Sequence, residues 1–585
     1  LPNNASMRFS ETRGLFNTNQ VLGEFYTGLF GGSHPKANFW LEGHHMTSDG
    51  YQTFNYQVRT AGTAKFVYKF SDTTYLSIIG TSLLVDSNTP DSDATRAQLA
   101  AHGDNFLLES NQFNQDGSYN ALYYRYYFYH IPTNFEIIDF SKDFAHGWRI
   151  ESKPYTYSYS NHQHLQKDQS SEFAKVSATS AINKMNQYNR GGQITTISAA
   201  SKYGVFRAGS WYEYTTTNRY QIKSDPRTWV DAPGIKNIAF HENFVTQSVQ
   251  PFAEYQLVAI PKWTITVGLK DAYYNMWLKQ YADSGKKVGD LGGAPFVTHD
   301  AGYNSWLPSL EANYRVRNNW SVYGQYGRGS IIPYSSVFDV TGAQVAVTPP
   351  PTVATTYQGG TVLKLNRVSF DADAYHIHFV NQYSSFTPTT GPNAGFTYYY
   401  ATPPSNTNGV EGEGNIAFVG GLSLFMNGTF GVAKYKSAPA QAATATSPAS
   451  PASPSAWVAL APHDTESLGL TYQNKAWDLG FFNKRVGSRW DDDGAYHENV
   501  PLDPFWVNNL FFNYTVRNGS RFTNSKIKFS VNNLFDNHDV TDISPAQDVS
   551  GSLVPYSPDP LDTITLLPGR SFMVTIQLGF MPKER

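Results

Sequence analysis

Cysteine is absent from all 585 residues. That excludes a disulfide framework, a thiolate metal site and a cysteine nucleophile. Also missing is any apolar run of roughly 18 residues or more, so no helix of this chain is expected to span a bilayer. Charge of one sign is lacking too: 44 Lys and Arg stand against 47 Asp and Glu. No basic block points to a nucleic-acid partner. The opening residues Leu1-Pro2-Asn3-Asn4 carry neither a basic n-region nor an apolar h-region, so the sequence reads as a mature or trimmed product.

What is present is aromatic. Phe, Trp and Tyr make up 15% of the chain, with 39 Tyr and 38 Phe, yet the mean hydropathy is polar at -0.42. Outer-membrane barrels combine these properties, because their strands show lipid only at every second residue and their aromatics gather at the two interfaces. A large extracellular all-β protein would share the composition, so the strand pattern must decide.

The final strand alternates most cleanly. Phe572, Val574, Ile576, Leu578 and Phe580 share one face, while Ser571, Thr575, Gln577 and Gly579 share the other. The pattern recurs at Trp263 to Lys270, Leu422 to Phe430, Asn509 to Val516 and Lys526 to Val531. Lys526 and Lys528 on one inner face argue for a wet interior rather than a packed core.

About 22 strands are expected, placed at 4–13, 19–30, 36–48, 61–71, 73–84, 133–142, 147–160, 189–200, 203–220, 242–258 and 262–279 in the first half. The second half places them at 303–315, 318–328, 353–365, 367–381, 408–418, 421–435, 463–474, 476–488, 504–516, 524–534 and 569–580. Connections alternate between short and long. Short ones include Ser71-Asp72, Ala145-His146, Arg317-Asn318 and Asn474-Lys475, and long ones fall at 85–132, 161–188, 221–241, 280–302, 329–352, 382–407, 436–462 and 535–568. The expected fold is therefore all-β: a single-domain transmembrane antiparallel barrel over 1–585, with short periplasmic turns and long extracellular loops. No blade repeat supports a propeller.

Two tyrosine-rich segments fall in long loops. Tyr123 to Tyr129 reads as a hairpin arm rising from the rim, and Phe396 to Tyr400 lies in another outward loop. Tyr126, Tyr127, Tyr398, Tyr399 and Tyr400 are accordingly candidate ligand-binding residues, with Trp490 in a third loop. A packed loop core or an interface girdle is the competing reading. His376 with His378, His44-His45, and His162 with His164 could in principle chelate a metal, but no third ligand is visible. Asp491-Asp492-Asp493 reads as a solvated acidic loop. The Ala/Pro/Ser/Thr-rich stretch 436–456 is assigned no role. No catalytic motif appears, so no enzyme, metal or cofactor is expected.

Several segments resemble the barrel of TonB-dependent receptors. Val531-Asn532-Asn533-Leu534-Phe535-Asp536 is similar to the family's penultimate strand, and Pro568-Gly569-Arg570-Ser571-Phe572 to its last. Leu307 to Arg315 with Trp320, Tyr323 and Tyr326-Gly327-Arg328-Gly329 resembles a mid-barrel hairpin, and Ser48-Asp49-Gly50-Tyr51 a motif after an early strand. The resemblance implies energy-coupled uptake of a scarce nutrient such as a ferric siderophore or other chelate, in the outer membrane of a Gram-negative bacterium. It implies contact with outer-membrane lipid and lipopolysaccharide, and with the TonB complex through a plug domain and TonB box that are not placed in this chain. A passive open channel and an adhesion or structural barrel are the alternative functions.

Overall fold

The computed structural model describes residues 2–32, 36–283, 286–287, 297–333, 350–386, 398–437, 455–491, 500–517, 522, 524–546 and 556–580. Twenty-two of the strands among them pair in chain order into one antiparallel sheet that closes on itself. They are β1 Ser6–Gly14, β2 Asn19–Phe30, β3 Ala37–Ser48, β4 Gln57–Ser71, β5 Thr74–Ser87, β6 Tyr127–Asp143, β7 Trp148–Gln166, β8 Ala181–Ser201, β9 Gly204–Ser224, β10 Ile238–Leu257 and β11 Trp263–Asp283. There follow β12 Val297–Arg317, β13 Trp320–Ile331, β14 Thr352–Lys364, β15 Val368–Val380, β16 Ser405–Ala417, β17 Leu422–Tyr435, β18 Asp464–Gln473, β19 Trp477–Val486, β20 Phe505–Thr515, β21 Lys526–Asn532 and β22 Ser571–Phe580. A two-residue piece, Lys286–Lys287, pairs antiparallel with the end of β11. Every expected strand is present.

Closure is made by β22, which pairs with β21 on one side and with β1 on the other, from Met7↔Phe580 to Gly14↔Met573. Its apolar face looks outward, with Val574, Ile576 and Leu578 exposed at 43%, 55% and 49%. Exposure of such residues is what a wall bathed in lipid requires. The inward face is polar: Thr12 and Thr575 share a hydroxyl hydrogen bond of 2.8 Å across the seam. Arg8 pairs with Glu24 on the same inner surface, and Arg190 lies 3.8 Å from Glu213. The interior is a charged, hydrated wall, as Lys526 and Lys528 led one to expect.

Ring-on-wall packing keeps that surface smooth. Gly192 lies under the Tyr155 ring, where a Cβ would come within 2.3 Å of Tyr155 Cζ. The ring is held by Trp211 Nε1, which donates to Tyr155 Oη at 2.8 Å, while Tyr155 donates to Glu213 at 2.6 Å.

Strand length departs from expectation on one side. β7 to β12 run 19–21 residues, against roughly 9–11 needed to cross the hydrocarbon. This half of the wall rises well above the membrane. The sequence places the outer ends of β6, β7 and β8 too low because the alternation fades there, where neither face meets lipid.

The periplasmic turns are tight. At 144–147, His146 and Gly147 both have positive φ, 62° and 75°, and a Cβ on Gly147 would fall 2.4 Å from the Ala200 carbonyl oxygen. Gly147→Val is expected to cost about 1–3 kcal/mol through strain and that clash. The check is the urea midpoint of the folded barrel, which should fall relative to Ala145→Val in the same turn. The first two outward connections, 15–18 and 49–56, are short, and this leaves room for longer loops to lean over them.

Candidate functional site

On the outer rim, the described parts of the loops that follow β5, β7, β19 and β21 hold one another as a partial roof. Loop 88–126 contains one helix, α1 (Arg96–His102), started by a capping box: Gln98 N–H donates to Thr95 Oγ1 at 3.2 Å, and Thr95 N–H donates back to Gln98 Oε1 at 2.7 Å. The start of α1 meets loop 533–570 on the far side of β1–β4. Arg96 N–H donates to Asp562 O at 2.7 Å, Ala97 N–H to Pro560 O at 2.9 Å, and Ile564 N–H to Ala94 O at 3.0 Å. His538 Nδ1 lies 2.7 Å from Asp104 in the same contact.

Asp562 is the hub, with its side chain 1% exposed. It accepts from Tyr556 Oη at 2.5 Å, from the Asp559 N–H at 2.9 Å, from the Ala546 N–H at 3.0 Å and from Arg96 at 3.5 Å. Burial alone would push this carboxyl up, but those four donors outweigh it and hold it below the usual carboxylate range.

The roof continues around the rim. Ala121 N–H donates to Glu172 O at 2.9 Å, and Gln98 Nε2 to Gln169 O at 2.9 Å, which ties loop 167–180 to loop 88–126. A second apolar core, Val500, Leu502, Ile543 and Ile564 with Leu99, joins loop 487–504 to loop 533–570. The two-stranded ladders Arg489–Asp491 with Val500–Leu502, and Val540–Ser544 with Thr563–Leu566, stiffen these loops.

The candidate ligand residues fall in different places. Tyr126 and Tyr127 are 2% and 0% exposed, in a core with Leu107, Leu108, Leu165 and Ile182. Tyr127 donates its hydroxyl to Ala121 O at 2.7 Å. The expected rim arm is instead a single 3-10 turn, Tyr124–Tyr126, leading directly into barrel strand β6. These two rings build the root of the roof, and at 2% and 0% exposure neither presents a surface to the lumen or the rim. Tyr398, Tyr399 and Tyr400 lie on a short hairpin with Tyr383–Phe386, and their side chains fall outside the described residues. Trp490 sits half-buried on its ladder opposite Pro501.

The histidine pairs do not converge on a metal-like geometry. Nδ1 of His376 and of His378 each face an asparagine on β16, Asn408 at 2.6 Å and Asn406 at 2.7 Å. His162 and His164 lie 3.0 Å apart, packed with Trp229. Asp491 faces the Ile543 N–H at 3.4 Å, while Asp492, Asp493 and residues 438–454 lie outside the described residues.

An aromatic patch that the sequence reading passed over is presented by the roof itself. Phe113 and Phe173 are exposed at 52% and 61%. Phe113 packs on Tyr119 at 5.0 Å between ring centroids, and the Arg227 guanidinium lies 5.2 Å over Tyr119. The Arg227 guanidinium in turn holds the Asp225 carboxyl below its usual range. Exposed rings beside a guanidinium that is itself paired with Asp225 at 2.6 and 2.8 Å suit a bulky aromatic ligand. Only the Thr95-x-x-Gln98 spacing could have signalled α1 beforehand. Phe113 and Phe173 sit on loops joined where Asn114 Nδ2 donates to Glu172 O at 3.2 Å, and nothing local in either segment marks that contact.

Residues 39–534 match the family described as TonB dependent receptor-like, beta-barrel. No curated protein matches the chain in sequence. Among solved structures, the ferric citrate transporter FecA in its unliganded form is similar at a TM-score of 0.74 and 13% identity, covering 99% of this chain and 79% of that one. The ferric yersiniabactin uptake receptor FyuA from Yersinia pestis gives 0.72 and 11%, covering 99% and 81%. The siderophore receptor PiuA from Acinetobacter baumannii gives 0.73 and 12%, covering 98% and 82%. At such identities the likeness speaks for the fold.

Proposed function

The chain belongs to the TonB-dependent receptor β-barrel family, and from that premise we propose that it imports a scarce nutrient held in a chelate, with a ferric siderophore or similar metal complex as the substrate class. Members of the family are outer-membrane transporters rather than enzymes, so the short turns face the periplasm and the roofed mouth faces outward. The observation that carries the reading is the roof. Loops far apart in sequence are tied into one layer above a charged inner wall, and that layer presents Phe113, Phe173 and Arg227 at its surface. Capture at such a layer, followed by passage along a wet wall, is a transporter's requirement and not an adhesin's. The likeness to proteins named for ferric citrate, ferric yersiniabactin and siderophores supports iron chelates as the first class to test. Energy would come from the TonB complex, acting through a plug domain seated in the lumen.

The test is uptake of radiolabelled ferric citrate and ferric yersiniabactin by energised cells carrying the full-length protein. Accumulation that stops when the proton-motive force is collapsed is the expected result. Diffusive entry unaffected by that collapse would favour a passive channel, and no uptake of any ferric chelate would remove iron from the proposal. Replacing Phe113 and Phe173 together by Ser is expected to raise the concentration needed for half-maximal uptake roughly tenfold, as loss of two aromatic contacts would.

A further inference from the structure

The outward face of the wall changes character around the barrel. From β12 to β22 it presents exposed Leu310, Tyr357, Val410, Leu470 and Ile576, and its polar members on β18–β20 are paired with one another, Arg485 with Glu466 at 3.2 Å and Asn483 with Asn508 at 2.7 Å. Register carries the same face to the other side: Phe580 pairs with Met7, and the line runs through Leu41 and Gly80 to Glu136 on β6. Glu136 thus points outward, and it is exposed. Around it on this face stand Thr156 and Ser152 of β7 and Gln193 and Thr195 of β8. Thr156 donates to Glu136 at 2.5 Å, while Gln193 donates to Ser152 at 3.2 Å and to Thr195 at 3.0 Å.

This stripe lies in the outer part of the membrane depth, where Gln193 pairs across the strands with Tyr212. On the same face, exposed Trp148 and Phe206 mark the periplasmic end of β7 and β9, and exposed Tyr212 and Tyr214 mark the outer side of β9. Acyl chains offer no hydrogen-bond partner to a carboxylate, an amide and three hydroxyls. Something other than lipid should cover them.

We propose that this stripe is the interface between two copies of the chain within the membrane. Strands about 4.8 Å apart and tilted about 40° shift a register line by about 3 Å in height per strand, and each residue along a strand rises about 2.5 Å. Glu136 is in register with Thr156 and through it with Gly191 on β8. The residue on β8 level with Glu136 is therefore two to three positions nearer the periplasm, which is Gln193. Pro154 of β7, opposite Gln193, lies between them. A twofold axis along the membrane normal over Pro154 sets Glu136 of one copy against Gln193 of its partner, with the Ser152 and Thr195 hydroxyls as further donors. Carboxylate meets donors, and the two carboxylates stay on opposite flanks of the axis. Self-complementarity of this kind is what an isologous contact needs.

The absence of cysteine makes the test clean, because one introduced thiol reports alone. Pro154→Cys in the full-length protein, oxidised in outer membranes, is expected to double the apparent mass on a non-reducing gel. Leu470→Cys on the apolar wall should stay at the mass of one copy. Adding Glu136→Leu to Pro154→Cys should lower the yield of the doubled band several-fold while the barrel stays folded by heat-modifiability. If Pro154→Cys fails to fold, Ser152→Cys reads the same contact. A single-copy mass for both thiols, equal yield from Leu470→Cys, an unchanged yield with Glu136→Leu, or a band joined to a different polypeptide would each overturn the proposal.

Discussion

Asp562→Ala is expected to open the roof without unfolding the barrel. The carboxylate is buried and gathers Tyr556, Arg96 and two backbone N–H groups. Its removal leaves these donors without their acceptor, but Ala546 is exposed, the Arg96 side chain partly exposed and Tyr556 and Asp559 only half-buried, so water replaces part of what is lost. Discounted for that exposure, the loss is about 1–3 kcal/mol of local stability. Hydrogen exchange should speed up in 93–104 and 556–566, while the strands keep their protection. Unchanged exchange at both segments would show that the loops hold without the hub. The pH dependence follows from the sign of the shift. The folded carboxyl sits below its usual range, so the tie is fully present at and above pH values where an unfolded aspartate is ionised. It is lost as pH falls through the depressed folded value. Acid should therefore mimic Asp562→Ala locally, and the variant itself should have lost that acid sensitivity in the same segments.

Ile576→Arg is expected to be the most damaging single change in the wall. Ile576 lies midway along β22, faces lipid and is exposed at 55%. A guanidinium at the bilayer midplane of such a wall costs about 2–4 kcal/mol. Position matters as well, because β22 closes the barrel and β21, one of its two partners, has only seven residues. Thr575→Arg, one residue away on the wet face, should cost far less. Urea titration of the folded barrel in lipid vesicles separates the two. Equal losses would mean that the inside of the seam is as dry as the outside.

How much of this was legible beforehand depends on the range of the interaction involved. Lys526, Lys528 and the alternation from Phe572 to Phe580 announced which face of each stave meets lipid, because lipid reads a strand two residues at a time. The same rule failed above the membrane, where β8 begins at Ala181 rather than near 189, since water and protein impose no such alternation. The burial of Tyr126 and Tyr127 was not legible for a related reason. An aromatic run looks the same whether it serves a ligand or a core, and only Leu107, Leu165 and Ile182 around them decide between the two.

The fold class, the staves and their order, and the inner and outer faces were thus determined by the sequence alone, through period-two patterning and the lengths of the connections. The roof was not. Arg96 and Asp562 are separated by 466 positions, and nothing in either segment names the other. They meet because closing the barrel brings β5 and β22 within reach across β1–β4, whose outward connections are short. Glu136 and Gln193 acquire a common depth in the same way, through the tilt of the closed wall. Only the tertiary structure decides such pairings, because closure converts distance along the chain into proximity around a ring.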